Sequence, residues 1–135
     1  MPAGARQAAR NPAGGHPVFA SVAISGIIAS LSKNMIGHAR PSALNPPEVL
    51  AFDPMLFRAA YASFPSDHAT PCIALALSLG VIWLRHRTAF LIVGMWGALS
   101  RTMIGTHWFS DVVAGGILGA VVARWLRDRL WRRTV

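Results

Sequence analysis

The chain has 135 residues, enough for one ordinary domain and not two; 53% are hydrophobic and 13% charged, about half the charged share of a soluble globular protein. With a mean hydropathy of +0.43, a membrane protein is the class these figures favour. The net charge of +8 lies in clusters between apolar runs, which argues against a nucleic-acid-binding patch, and the single Cys72 excludes an intrachain disulfide and reads as a small buried apolar residue.

Residues 1–16 are rich in Ala, Gly and Pro, with Arg6 and Arg10 as their only charges, and read as a flexible basic tail ahead of a membrane domain over residues 17–135. The run 17–32 is uncharged and rich in small residues. A signal peptide competes for it, but the Leu31-Ser32-Lys33 context is a poor cleavage site, so a membrane helix is expected. Its roughly 16 residues fall short of the ~20 needed for a span, so residues 34–38 are expected to complete it before Pro41 forces an end. A proline-rich connector follows, with Pro46, Pro47, Pro54 and Pro65; residues 42–64 are expected to form a lid, with a short surface helix over 56–61.

A second apolar run covers 69–84 and is closed by Arg85-His86-Arg87; a third covers 89–99. The fourth, 109–126, carries Gly115, Gly116 and Gly119 on a face that lets a neighbouring helix approach closely. There is no internal repeat and no strand alternation. The predicted fold is therefore all-α: an integral-membrane helical bundle of about four transmembrane helices.

Four spans put the N-terminal tail, the 85–87 turn and the C-terminus on one side. That side holds nine of the thirteen Lys/Arg residues: Arg6, Arg10, Arg85, Arg87, Arg124, Arg127, Arg129, Arg132 and Arg133. The positive-inside tendency makes it cytoplasmic, and the C-terminal arginines are expected to rest on anionic headgroups. Lys33, Arg40, Arg58 and Arg101 then face outward.

Three clusters fall on that outward face. In residues 33–41, KNMIGHARP, Lys33 and Arg40 are seven apart, so two helical turns would set both cations on one face. Alone, they read as snorkelling interfacial cations. In residues 64–70, FPSDHAT, Ser66 or Asp67 reads as a helix N-cap with His68 in the first turn, where free amides favour an anion. In residues 100–111, SRTMIGTHWFSD, His107 and Asp111 are at i and i+4, so a carboxylate can fix the imidazole tautomer and leave the other nitrogen free to attack. Arg101 offers a planar fork for phosphate, although the bland reading of this stretch is a helix junction with a capping Asp. Together, three cations, a helix N-terminus and two histidines at one membrane face suit a phosphate dianion.

These three segments resemble the ordered motifs of the type-2 phosphatidic acid phosphatase (acid phosphatase/vanadium haloperoxidase) superfamily, K-x6-RP, PSGH and SR-x5-H-x3-D, in its membrane lipid phosphatase branch. The resemblance covers residues 33–111. It implies His107 as a nucleophile passing through a phosphohistidine, Asp111 orienting it, and His68 as the acid and then the base. It implies Lys33, Arg40, Ser66, Asp67 and Arg101 as the phosphate-binding set, with no metal and no cofactor. His38 is expected to be a spectator inside the first motif.

Two departures matter. Asp67 stands where the common pattern has glycine; either it adds a repelling charge, or it turns away and caps the helix while its amide still donates. The PSDH form also resembles bacterial undecaprenyl-diphosphate phosphatases, which tilts the substrate towards a polyprenyl diphosphate. The second departure is length, since membrane members typically have six helices and this chain offers four.

The function expected is a lipid phosphate or diphosphate phosphatase, acting on a phosphatidic-acid-like lipid or undecaprenyl diphosphate. Its partners would be the lipid and the bilayer, not nucleic acid; oligomeric state is not legible. A non-catalytic or incomplete relative that binds anionic lipid is the alternative from another class. A vanadium haloperoxidase and a metal site of His68, His107 and Asp111 stand further off, the latter because three cations surround it.

Overall fold

The computed structural model describes residues 15–43, 45, 50–55 and 57–130. Most of the basic tail, Pro46, Pro47, Leu56, Arg132 and Arg133 lie outside them. Among the described residues four α-helices run in order: α1 (Gly15–Ile36), α2 (Ala69–Ile82), α3 (Arg87–Met103) and α4 (Phe109–Leu130). Three-residue 3-10 turns occur at Pro41–Ala43, Ala59–Tyr61 and Leu84–His86. Among the described residues there is no strand, and the all-α expectation holds; His38 and Phe52 form an isolated antiparallel bridge.

The end of α1 is set by Gly37, not by Pro41. Gly37 turns left-handed at φ 65°, and its N–H bonds the Lys33 carbonyl at 3.1 Å, the left-handed stop common after helices. A Cβ here would also strike the Asp53 backbone carbonyl. Lys33 and Arg40 therefore do not share a helical face: Lys33 is in the last turn of α1 and Arg40 in the loop beyond. At the other junction, α3 continues past the expected 99 to Met103, and Gly105, at φ 69°, turns the chain into α4. The short helix expected over 56–61 is the 3-10 turn Ala59–Tyr61.

Small residues face inward and large apolar ones outward. The buried positions recur every four residues: Pro17, Ser21, Ser25 and Ala29 on α1, Thr70, Ala74 and Ser78 on α2, Gly94 and Ala98 on α3, Asp111, Gly115, Gly119 and Ala123 on α4. Phe19, Leu31, Ile92, Trp96, Ile117 and Val121 are exposed. Water would penalise that arrangement, whereas lipid gives helices close backbone contact at small residues and solvates the large ones. Helix α2 packs on the other three, with α4 beside it and α1 and α3 flanking. Helices α1 and α4, 22 residues each, are long and apolar enough to cross a membrane. Of the four expected spans, α1 and α4 have full length; α2, with 14 residues, rises about 21 Å against a hydrocarbon core of ~30 Å, and α3 has 17 residues.

A close helix contact reaches the candidate site. At Gly115 a Cβ would lie 2.7 Å from the Ser66 carbonyl and 2.9 Å from the Thr70 hydroxyl, so α4 presses bare backbone against the entry to α2. Gly115→Ala should therefore cost about 1–3 kcal/mol of stability, read as a lower melting temperature of the detergent-solubilised protein. A variant melting with the wild type would contradict this packing.

Candidate active site

The loops that carry the site pair with one another by backbone hydrogen bonds. Asp53 N–H donates to the Gly37 carbonyl (2.8 Å), Ala39 N–H to Ala51 (2.9 Å), Arg40 N–H to Ala60 (2.8 Å), and Ser63 N–H to His38 (3.0 Å). The described part of the connector thus folds back over the first motif. Phe52 from the connector stacks on the His38 ring, with centroids 4.5 Å apart and planes 13° apart.

At the centre lies Asp111, which is fully buried. Its Oδ1 is 2.8 Å from His38 Nδ1. Its Oδ2 accepts the Ser63 hydroxyl in a short hydrogen bond and the Trp108 N–H at 3.0 Å. The Trp108 bond is local: Trp108 precedes the first turn of α4, and a carboxylate three residues on reaches back to that orphan N–H. The other two partners come from distant segments. A buried carboxylate is tolerable when donors surround it, and this one has three.

His107 is 2% exposed and sits just ahead of α4. Its Nδ1 lies 2.8 Å from the Ser63 carbonyl, which only accepts, so Nδ1 carries the proton and Nε2 of the neutral ring keeps its lone pair. The Asp111 carboxylate, expected to orient the ring directly, is 4.0 Å from Nδ1, beyond hydrogen-bond distance. Because α4 begins after His107, the i, i+4 pair is not stacked on a helix. Ser63 joins the two instead, its carbonyl holding His107 and its hydroxyl holding Asp111. Burial pushes the His107 imidazole below its ordinary 6.5 and the Arg40 charge adds to this, outweighing the Ser63 hydrogen bond and the carboxylates of Asp67 and Asp111.

Facing His107 is a compact charged group. The Lys33 ammonium donates to Asp67 Oδ2 at 2.7 Å. Asp67 Oδ1 is 3.1 Å from His68 Nδ1 and 3.7 Å from His107 Nε2. Burial alone would raise the Asp67 carboxyl; the hydrogen bonds and charges of Lys33 and His68 overcome it and hold the group at about 2. Asp67 therefore neither turns away nor caps α2. That helix starts at Ala69 with His68 at the cap position; the Ala69 N–H donates to the buried Ser66 Oγ at 3.3 Å, so Ser66 satisfies one of the end amides.

The remaining cations differ in their commitments. Arg40 spends its guanidinium on the carbonyls of Ala59 (2.9 Å), Ala62 (3.2 Å) and Thr106 (3.4 Å), which ties the connector to the loop before His107. The Arg101 carbonyl receives the Thr106 hydroxyl at 2.9 Å; among the described residues its guanidinium makes no hydrogen bond or ion pair. Lys33, Asp67, His68, His107 and Asp111 are thus brought together, Ser66 and Arg40 border them through backbone contacts, and Arg101 is joined to them through its backbone. Asp67, His68 and His107 each offer a ligand atom within 4.8 Å of the others, the spacing of a metal site. Asp111 does not belong to that trio, unlike in the His68–His107–Asp111 grouping considered from sequence.

Chemically, an unprotonated buried imidazole nitrogen faces an ammonium group and a second, half-exposed histidine. That set suits nucleophilic attack on an anionic centre with proton transfer to a leaving oxygen. Two contributors were not singled out in the sequence. Ser63 acts through a backbone carbonyl that every residue possesses, and its hydroxyl partner is 48 residues away. His38, expected to be a spectator, is 2% exposed and holds Asp111.

The PAP2 superfamily model matches residues 15–134. The lipid A 1-phosphatase of Rhizobium etli is 37% identical over 102 residues, 76% of this chain and 44% of that protein. Its namesake from Rhizobium johnstonii is 37% identical over 103 residues, 76% of this chain and 42% of that protein. The decaprenylphosphoryl-5-phosphoribose phosphatase of Mycobacterium tuberculosis is 45% identical over 60 residues, 44% of this chain and 33% of that protein. The chain spans less than half the length of these relatives. No solved structure matches it.

The electrostatics give a titration test. His107 should titrate below 6.5 when followed by NMR of its ring, and Arg40→Gln, by removing a charge that opposes protonation, should move the midpoint upward. A wild-type midpoint at or above 6.5 would contradict the buried, neutral imidazole. The hydrogen-bond assignment gives a second. Ser63→Ala deletes one donor to the buried Asp111 and should cost about 1–3 kcal/mol of stability, again read by melting; an unchanged melting temperature would contradict it.

Proposed function

This chain belongs to the PAP2 superfamily, and we propose that it hydrolyses the phosphate of a membrane lipid with His107 as the attacking group. The observation that carries the reading is the His107 ring itself: Nδ1 is held by the Ser63 carbonyl, and Nε2 is unprotonated and turned towards the Lys33–Asp67–His68 group.

In the first step the Nε2 lone pair attacks phosphorus in line. The bond from phosphorus to the lipid oxygen breaks, that oxygen keeps the electron pair, and His68 protonates it. The enzyme is left with phosphate on His107 Nε2, and the free lipid alcohol departs (a lipid monophosphate, if the substrate is a diphosphate). In the second step His68, now neutral, takes a proton from water as the water oxygen attacks phosphorus. The nitrogen–phosphorus bond returns its electrons to Nε2 and inorganic phosphate leaves. Lys33 and Arg101 bear the charge on the phosphoryl oxygens, with the Ser66 segment and Arg40 at the border; positioned cations of this kind are where phosphoryl transfer gains most. Asp111 acts at one remove, by holding Ser63 and the chain around His107.

We read the reaction as metal-free. A dication in the Asp67–His68–His107 trio would have to displace the Lys33 ammonium from the same carboxylate, or lie beside it against like-charge repulsion. The relatives are named for lipid A 1-phosphate and for decaprenylphosphoryl-5-phosphoribose, so a lipid-borne phosphomonoester leads as the substrate. Undecaprenyl diphosphate and phosphatidic acid present the same phosphoryl group. The exposed apolar faces of the helices support a membrane location, and the arginine clusters of the sequence favour a site on the extracytoplasmic face of a bacterial inner membrane.

The test is phosphate release by the detergent-purified chain, in EDTA, from lipid A 1-phosphate, decaprenylphosphoryl-5-phosphoribose, undecaprenyl diphosphate and phosphatidic acid in parallel. Turnover should persist in EDTA, be blocked by vanadate, and fall by at least ~10³-fold in His107→Ala, the scale of losing a nucleophile. Near-normal release from that variant would sink the reading. Loss of release in EDTA, restored by a divalent cation, would overturn its metal-free form.

A further inference from the structure

The reading above leaves one group unexplained: the Asp67 carboxylate, which lies where a phosphoryl group would be expected to meet His107. One oxygen takes the Lys33 ammonium at 2.7 Å; the other touches His68 Nδ1 at 3.1 Å and stands 3.7 Å from His107 Nε2. These are the cation, the acid and the nucleophile of the proposed reaction: one anion holds the first two and stands in front of the third. At about 2, its acid equilibrium lies far below neutrality, so protonation does not move it aside. Only a competing anion can.

We propose that Asp67 is a built-in competitor for the phosphate site, a specificity-determining residue that substrate must displace from Lys33 before His107 can reach phosphorus. The inference rests on the phosphatase reading of this site. A phosphate dianion offers Lys33 more negative charge and three oxygens, and so can take the ammonium from a carboxylate. Phosphodiesters and other weak monoanions have less to offer, so the residue raises the threshold for them. Once released from Lys33, the carboxylate keeps its second partner. Its Oδ1 already faces His68 Nδ1, and a carboxylate accepting from Nδ1–H leaves Nε2 as the nitrogen that gives its proton to the leaving oxygen when the ring is the imidazolium, and that takes one from water when the ring is neutral. One side chain thus blocks the site before substrate binds and orients the acid afterwards. Asp67 also opposes retention of product, since inorganic phosphate must hold Lys33 against the same carboxylate.

The experiment measures binding of inorganic phosphate and of orthovanadate by isothermal titration in detergent and EDTA, and so needs no turnover. Four proteins are compared: wild type, Asp67→Asn, Lys33→Gln and the double variant, each checked by melting. Asp67→Asn should bind both anions about tenfold more tightly or better, the scale of one charge-assisted hydrogen bond no longer competing. Lys33→Gln should weaken binding more in the Asp67→Asn background than in the wild type, because only there is the ammonium unopposed. Asp67→Gly, which removes the side chain altogether, repeats the test should the asparagine amide itself hold Lys33. Unchanged or weaker anion binding in folded Asp67→Asn and Asp67→Gly would overturn the proposal, as would equal Lys33→Gln effects in both backgrounds. Failure of turnover in the wild type, with these binding shifts present, would instead count against the phosphatase reading alone.

Discussion

The arrangement depends on one buried carboxylate. Asp111 has no solvent exposure, and its two oxygens accept from His38 in the loop after α1, from Ser63 ahead of α2, and from Trp108 at the start of α4. Three chain segments are thereby held at one point. An ionised group so placed is stabilising only while its donors remain, and losing one exposes the chain to the cost of an unsatisfied charge. Trp108 extends the same junction, its indole N–H donating to the Ala39 carbonyl at 2.9 Å. His107 is fixed as a consequence: its ring hangs on the Ser63 carbonyl, and Ser63 is held by Asp111.

Around this polar knot the helices are built for lipid. Small residues every fourth position let α4 and α2 approach until Gly115 and Gly119 meet the backbone of residues 66–70, while Phe19, Trp96 and Ile117 point away. The polar groups are gathered at the end where α1 and α3 stop and α2 and α4 begin. That placement keeps costly charges off the hydrocarbon-facing surface and sets them beside the loops through which a lipid headgroup would enter.

Much of this was legible in the sequence, because the helical runs are long and apolar and the motif spacings are tight. The helix at the N-terminal run and the glycine face of α4 follow directly from composition and periodicity. What failed were inferences that extrapolate a helix across a stop signal. Seven residues separate Lys33 and Arg40, but Gly37 breaks the helix between them, and Arg40 binds backbone carbonyls. His107 and Asp111 are i and i+4, yet the helix starts at Phe109 and their contact runs through Ser63. The turn of Asp67 towards His107 was equally hidden, since its partner Lys33 is 34 residues away. Backbone acceptors and long-range partners leave no mark on local pattern.

The central claim is that His107 Nε2 carries the phosphoryl group. The direct measurement is an alkaline quench of the protein turning over p-nitrophenyl phosphate, whose leaving group needs no acid, followed by peptide mass spectrometry. His68→Gln serves as the variant, because it slows attack by water on the intermediate. The account predicts phosphate on His107, at Nε2, building up as p-nitrophenolate is released. Release of p-nitrophenolate with no phosphate on His107, or with phosphate on another residue, would contradict it.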